Sequence, residues 1–181
     1  ENGKTWTALP GDVMRANPEA GTLTSKRKFR DVLLHAEFRL PLMPEATGQA
    51  RGNSGVFLQD IFEVQVLDSY GLEGYWNECG AMYKISAPYV NMCAPPLTWQ
   101  TYDIEFHAGD FDASGNMIAP PRISVRQNGV FVQKEQDLPH GTSYTATKGK
   151  TFPKPEPGAI KIQDHKNYVE YRNVWVLPLK E

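Results

Sequence analysis

Residues 53–69 read Asn-Ser-Gly-Val-Phe-Leu-Gln-Asp-Ile-Phe-Glu-Val-Gln-Val-Leu-Asp-Ser, the densest strand signal in the chain. Phe62, Val64 and Val66 alternate with Glu63 and Gln65, a period of two in β-branched and aromatic company, which specifies a strand with one buried face. The run 56–59 before it is a second strand, and Asp60-Ile61 is short enough to turn the chain into an antiparallel hairpin. Glu63 and Gln65 then project from the face opposite the apolar triplet, where Asn53 and Gln59 can join them. A carboxylate and an amide two residues apart on a rigid strand form either a solvated outer face or the floor of a polar ligand site.

The same alternation recurs along the chain. In 31–40, Leu34, Ala36, Phe38 and Leu40 share one face and His35, Glu37 and Arg39 the other. In 99–107, Tyr102, Ile104 and Phe106 point inward and Thr101, Asp103, Glu105 and His107 outward. Further strands are expected at 22–26, 80–84, 122–126, 130–132, 159–163 and 168–176. Asn128-Gly129 supplies the best hairpin turn, because both positions tolerate a positive φ. Segments 6–19, 41–52, 110–121 and 138–158 read as irregular or loop. Fourteen prolines and fifteen glycines suit many short strands joined by turns. With no capped helical period of ten residues and no internal repeat, residues 1–181 are expected to form one all-β domain, a two-sheet antiparallel β-sandwich or jelly roll.

Charge narrows the partners. Nineteen basic against twenty-one acidic residues leave a formal charge of -2. No cationic surface is then expected to neutralise phosphates or anionic lipid, so nucleic-acid and membrane partners are not expected. No apolar run approaches the length of a membrane-spanning helix. Cys79 and Cys93 enclose a thirteen-residue loop in the Gly/Pro/Asn-rich segment 70–97. A bridge there would contribute about 3 kcal/mol on the chain-entropy model and would imply an oxidising compartment; two free buried thiols are the alternative. The chain has no phosphate-binding glycine loop, no Gly-x-Ser-x-Gly elbow and no His-Glu-x-x-His helix. What remains is polar: Asp164-His165 on a turn, with an imidazole suited to proton transfer near neutral pH, and the Glu63 and Gln65 pair. His107 and His140 sit among ordinary surface residues.

Asn53-Ser54-Gly55-Val56-Phe57-Leu58 followed by Phe62-Glu63-Val64-Gln65-Val66-Leu67-Asp68-Ser69 resembles the signature hairpin of the 3-keto-disaccharide hydrolase family. The likeness continues in order through Asn77-Glu78-Cys79-Gly80-Ala81-Met82-Tyr83, Trp99-Gln100-Thr101-Tyr102-Asp103-Ile104, Asn128-Gly129-Val130, Ile162-Gln163-Asp164-His165 and Tyr171-Arg172-Asn173-Val174-Trp175. One departure is Lys166, where the family usually has glycine after the histidine. The resemblance implies a concanavalin-like jelly roll, a carbohydrate ligand, a secreted or periplasmic protein, and cleavage of 3-keto-glycosides.

That chemistry differs from two-carboxylate hydrolysis through an oxocarbenium-like state. A C3 ketone acidifies the C2 hydrogen and puts the C1 leaving group β to the carbonyl, so the bond breaks by proton abstraction and elimination. The site then needs a base near C2, a donor or cation at the C3 oxygen, and a group that protonates the departing oxygen. His165 is the expected base, with Glu63 as the alternative. Asn53 and Gln65 would orient hydroxyls, Arg39 or a bound cation would stabilise the enolate, and Tyr83 and Trp99 would form either a stacking wall or ordinary core. Strand parity allows Glu37, Arg39, Glu63, Gln65 and Gln163 to share one face if their strands share a sheet. Glu63, Glu37 and His165 are candidate ligands for a divalent metal, although no spacing requires one. The rival reading is a non-catalytic carbohydrate-binding module of the same fold. A laminarinase-type glucanase would carry Glu-x-Asp-x-x-Glu, where this chain has Gln65 and Asp68 at the later positions.

Overall fold

A computed structural model of the chain describes residues 5–142, 144–145, 149–150 and 152–179. Its strands are β1 (Thr7–Leu9), β2 (Val13–Arg15), β3 (Leu23–Phe29), β4 (Val32–Arg39), β5 (Ser54–Leu58), β6 (Phe62–Val66), β7 (Trp99–His107), β8 (Asp110–Phe111), β9 (Met117–Ala119), β10 (Arg122–Gln127), β11 (Val130–Asp137), β12 (Tyr144–Thr145), β13 (Gly149–Lys150), β14 (Gly158–Ile162) and β15 (Glu170–Pro178). Two sheets dominate, one of seven strands in the order β1-β2-β15-β4-β7-β10-β11 and one of four in the order β3-β14-β5-β6. All their pairings are antiparallel. The architecture is the two-sheet β-sandwich of jelly-roll type that the alternation predicts, and among the described residues the only helix is a single 3-10 turn, Gly48–Ala50. Among the described residues no helix is long and apolar enough to cross a membrane.

The inward faces interdigitate into one core. Leu34, Ala36 and Phe38 of β4 and Tyr102, Ile104 and Phe106 of β7 meet Val56, Leu58, Phe62, Val64 and Val66 of the facing hairpin. Phe38 and Tyr102 pack with ring centroids 4.8 Å apart, and Phe62 and Phe106 5.7 Å apart. These are separations at which tilted rings attract beyond their area burial.

Where sequence and structure differ, the elements are short. β1 and β2 share three residue pairs around a turn whose Gly11 and Asp12 have positive φ, and β8 and β9 form a smaller hairpin of two pairs inside 110–121. The expected strand at 80–84 is instead a bridged edge, Val64↔Met82 and Met82↔Ser86. Within 138–158, read as loop, β12 pairs β13; positions 143, 146–148 and 151 of that stretch lie outside the described residues. Cys79 and Cys93 are both free and buried, so the structure contains no bridge between them. Cys79 Sγ lies 3.2 Å from the Tyr102 hydroxyl and accepts from Gln127 Nε2 at 3.3 Å, while the Cys93 thiol donates to the Leu67 carbonyl at 3.4 Å. Both thiols act as small hydrogen-bonded core groups. Lys166 takes the left-handed conformation, φ 64°, that a glycine at this turn would supply, and its N–H donates to Asp164 Oδ1 at 2.7 Å.

Candidate functional site

The outer face of the four-stranded sheet collects the polar residues of the signature hairpin. Register sets two rows across it. Lys161 of β14 pairs with Phe57 of β5, which pairs with Glu63 of β6. Tyr83 extends this row, because its N–H donates to the Glu63 carbonyl at 3.1 Å. In the next row the Gln163 N–H donates to the Gly55 carbonyl at 2.9 Å, Gly55 pairs with Gln65, and the Gln65 N–H donates to the Ala81 carbonyl at 3.0 Å. Alternate residues of a strand share a face, so Glu63, Gln65, Phe57 and Gly55 stand together above the sheet, with Gln163 and Lys161 beside them and Tyr83 at the rim.

Glu63 is the outlier in this group. It is 7% exposed, and burial raises its carboxyl to about 7, with the Lys84 charge pulling in the opposite direction. Its carboxylate lies over Gly55: a Cβ there would meet Glu63 Oε1 at 2.5 Å. Gly55 therefore leaves the space that lets the acid lie flat on the sheet. Gln65 is its polar neighbour. With Gln65 Nε2 donating to Gln49 Oε1 at 3.0 Å, the Gln65 oxygen faces the acid and can accept from a protonated Glu63. With the amide rotated, its nitrogen donates to Glu63 Oε1 at 3.1 Å and to the Ser54 carbonyl at 3.3 Å. One amide can thus accompany Glu63 in either protonation state.

An amide network frames the floor. Gln49 Nε2 donates to the Asn77 carbonyl at 2.7 Å, and Asn53 Nδ2 donates to the Gln49 carbonyl at 2.7 Å. Asn53 Oδ1 and Gln163 Oε1 are buried acceptors without a partner in the protein. Tyr83 and Trp76 form an aromatic edge with centroids 5.6 Å apart, and Trp76 is 47% exposed. Burial and the nearby Glu63 charge raise the Tyr83 phenol. A groove of about 220 Å³ lined by Thr22, Thr24, Phe57, Asp60, Lys161 and Gln163 continues across the same face.

His165 follows Gln163 by two residues, in the turn that leaves β14, so its Cα lies within about 7 Å of the Gln163 Cα. It is exposed. That turn is held by Asp164, which accepts from the Gly21 and Lys166 N–H groups at 3.0 and 2.7 Å, and by Asn167, which accepts from the Asn53 N–H at 2.7 Å. Glu63 on β6 and His165 beyond the end of β14 are thus carried by the same four-stranded sheet, with β5 between their strands.

Glu37, Arg39 and Trp99 do not join them. β4 pairs with β15 and β7, so these three residues stand on the outer face of the seven-stranded sheet, across the core from Glu63. Parity along a strand separates inside from outside but says nothing about which sheet the strand enters. There Arg39 Nε donates to Glu170 at 2.7 Å and Arg172 Nε to Glu37 at 2.6 Å, and both guanidinium groups cover the Trp99 ring, at 4.8 and 4.1 Å. Glu37 is held below the usual carboxylate range by hydrogen bonds from Asn173 and Arg172. Glu37 is therefore no partner for Glu63 and His165 around a metal, and among the described residues no three His, Cys, Asp or Glu side chains converge to hold one. Asp68, at the glucanase position, is buried in an ion pair with Arg51 at 3.1 Å and offers no second acid on the face. Sequence reading missed Gln49 and Trp76, which lie in loops with no period to aim them, and Lys84, which ends the expected strand 80–84 with no polar alternation to single it out.

The fold recurs in solved structures. A protein of Parabacteroides distasonis ATCC 8503, provisionally described as a glycosyl hydrolase, is 34% identical with a TM-score of 0.87, over 96% of this chain and 74% of that one. A second protein of that organism and description is 19% identical with a TM-score of 0.70, over 99% and 92%. The alginate lyase Aly36B, solved with an alginate trisaccharide, shares the fold at 10% identity and a TM-score of 0.52, over 99% of this chain and 86% of that one. No curated protein matches. Residues 1–177 match the 3-keto-alpha-glucoside-1,2-lyase-like domain, and the chain belongs to that family of carbohydrate-active proteins.

Proposed function

We propose that this protein cleaves the glycosidic bond of 3-keto-glycosides by removing the C2 proton and expelling the C1 substituent. The observation that carries this reading is Glu63: a buried carboxyl raised to about 7, on a sheet face otherwise furnished with amides. An acid tuned to neutral pH takes and returns protons efficiently there. Glu63 takes the C2 proton. The electron pair forms the C1=C2 double bond as the C1–O bond breaks, giving an enone conjugated with the C3 carbonyl, and the departing oxygen is protonated. Lys84, whose charge already acts on Glu63, and the Tyr83 hydroxyl are the nearby groups suited to enolate charge at O3. His165 on the adjoining turn suits protonation of the leaving oxygen. Burial and the fitted contact with Gly55 favour Glu63 over the exposed His165 as the base. Asn53 Oδ1 and Gln163 Oε1 are acceptors for sugar hydroxyls.

The deciding assay offers a 3-keto-glucoside and its unoxidised parent under the same conditions. Only the ketone is expected to be consumed, with an enone or its hydrate as product; cleavage of the parent at a comparable rate would refute elimination, and binding of both without turnover would favour a binding module.

Gly55→Ala tests the geometry. Its methyl group would collide with the flexible end of Glu63, so the chain should fold normally while the acid is displaced. A shift of about 1 Å lowers turnover roughly 10²-fold. Wild-type activity with an unchanged melting temperature would show that the carboxylate position is immaterial.

A further inference from the structure

The seven-stranded sheet carries a second set of aromatic and polar groups, on the face away from Glu63. One register row crosses five strands: Trp175 pairs with His35, His35 with Asp103, Asp103 with Arg126 and Arg126 with Phe131. At roughly 4.8 Å per strand the row spans about 19 Å. A groove of about 240 Å³ lies along it, with Trp175 and Phe131 among its walls and Asp103, Glu105, Ser124 and Arg126 along its floor.

Each wall is held in place. The Trp175 indole stacks on the His35 imidazole at 5.4 Å and 13°, and Asp103 Oδ1 fixes that imidazole at 2.6 Å. Trp175 is nonetheless 47% exposed, so a flat aromatic surface is presented at no further ordering cost. Phe131 is braced by the Arg126 guanidinium, 3.5 Å from its ring centroid. The floor keeps hydrogen-bonding capacity: Asp103 uses Oδ1 for His35, and the Ser124 hydroxyl accepts from the Glu135 N–H at 2.9 Å, which leaves its own hydrogen to donate.

We infer that this groove is a second carbohydrate-binding site, separate from the Glu63 face, that takes a neutral pyranose ring or a short run of such rings. The cavity is below the size typical of drug-like ligands and suits a single sugar ring. The exposed Trp175 ring takes the C–H face of a pyranose, the Phe131 ring, covered by Arg126 and approached by Lys134 Nζ at 5.7 Å, closes the far end, and carboxylate, hydroxyl and guanidinium groups between them meet the sugar hydroxyls. Asp103 and Glu105 set against Arg126 leave one acidic group in excess, which disfavours an anionic sugar. Farther along β4 and β15 the outward residues are spent in ion pairs, Arg39 with Glu170 and Arg172 with Glu37, whereas Leu33 and the exposed Leu177 extend the apolar wall beside Trp175. A chain anchored here would leave the Glu63 face free, and the inference does not depend on the elimination chemistry.

The test is an NMR titration of the uniformly 15N-labelled protein with maltotriose, cellotriose and laminaritriose. With at least one of them, amide shifts should concentrate at 103–105, 124–131 and 175, and Trp175→Ala and Phe131→Ala should each weaken binding at least tenfold. No shifts with any trisaccharide, shifts confined to 55, 63–65 and 83, or binding unchanged in a folded variant would each overturn the assignment. So would movement of the groove amides on raising protein concentration alone, which would give the groove to a second copy of the chain.

Discussion

Replacing Glu63 with Gln is expected to lower kcat/KM toward a 3-keto-glucoside by about 10³-fold, the contribution typical of a positioned base. The two side chains are nearly isosteric, and the amide can still bond Gln65 across the 3.1 Å contact, so the loss isolates proton transfer from packing. The pH profile supplies the second signature. Only the ionised carboxyl takes a proton, so kcat/KM should rise with pH and level off above an inflection near 7, where burial places the group. An inflection near 4.5 would mean a solvated acid that is not the base. Retained activity in the Gln variant would transfer that role to His165.

The same substitution should stabilise the protein at alkaline pH. An unfolded Glu63 releases its proton near 4.5 and the folded one near 7. The folded state therefore holds the extra proton between those values, and stability falls as pH rises across that window. A raise of this size amounts to about 3 kcal/mol. Glu63→Gln carries no charge to bury, so it should match the wild type at pH 4 and melt higher at pH 8. Such opposed effects on stability and turnover are expected of a group placed where its charge is disfavoured.

The strands that build the core were legible because their side chains alternate over five or more residues. Phe62, Val64 and Val66 could face only one way, and so could Tyr102, Ile104 and Phe106. Short hairpins such as β1 with β2 carry too few residues for a period to emerge, and their turns escape notice without an Asn-Gly pair. The candidate site was half legible. Glu63 and Gln65 stood out as polar residues on a rigid strand, and Gln163 joined them through the same parity. Glu37 and Arg39 carry the same signal on β4, and Trp99 begins β7, both strands of the other sheet. Sheet membership depends on pairing between distant segments, and no local pattern encodes it. The Gly55 contact was illegible for a related reason: a glycine in a strand signals close approach without naming what approaches.

Gly158 shows the opposite consequence of such an approach. A Cβ at this position would lie 2.5 Å from the Gln59 Cα and 2.7 Å from its carbonyl carbon, and backbone cannot swing aside as the end of Glu63 can. Gln59 and Asp60 turn the β5–β6 hairpin with φ of 47° and 67°, unusual for non-glycine residues. The turn is held by its dock on β14: the Asp60 N–H donates to the Ala159 carbonyl at 2.9 Å, the Ala159 N–H donates to Asp60 Oδ2 at 3.0 Å, and Lys161 Nζ reaches Asp60 Oδ1 at 2.8 Å. Ala159 and Lys161 of β14 thus hold from outside the hairpin a turn that an Asn-Gly pair would hold from within. Gly158→Ala forces these strands apart, at a cost of about 3 kcal/mol or more for an overpacked contact that cannot relax. In a chain of this length that corresponds to a fall in melting temperature of roughly 6 to 12 °C. Calorimetry should find Gly55→Ala near wild type and Gly158→Ala far below it. Equal melting temperatures would mean that the hairpin turn is not seated on β14, and with it would go the register that places Gln163 beside Gly55.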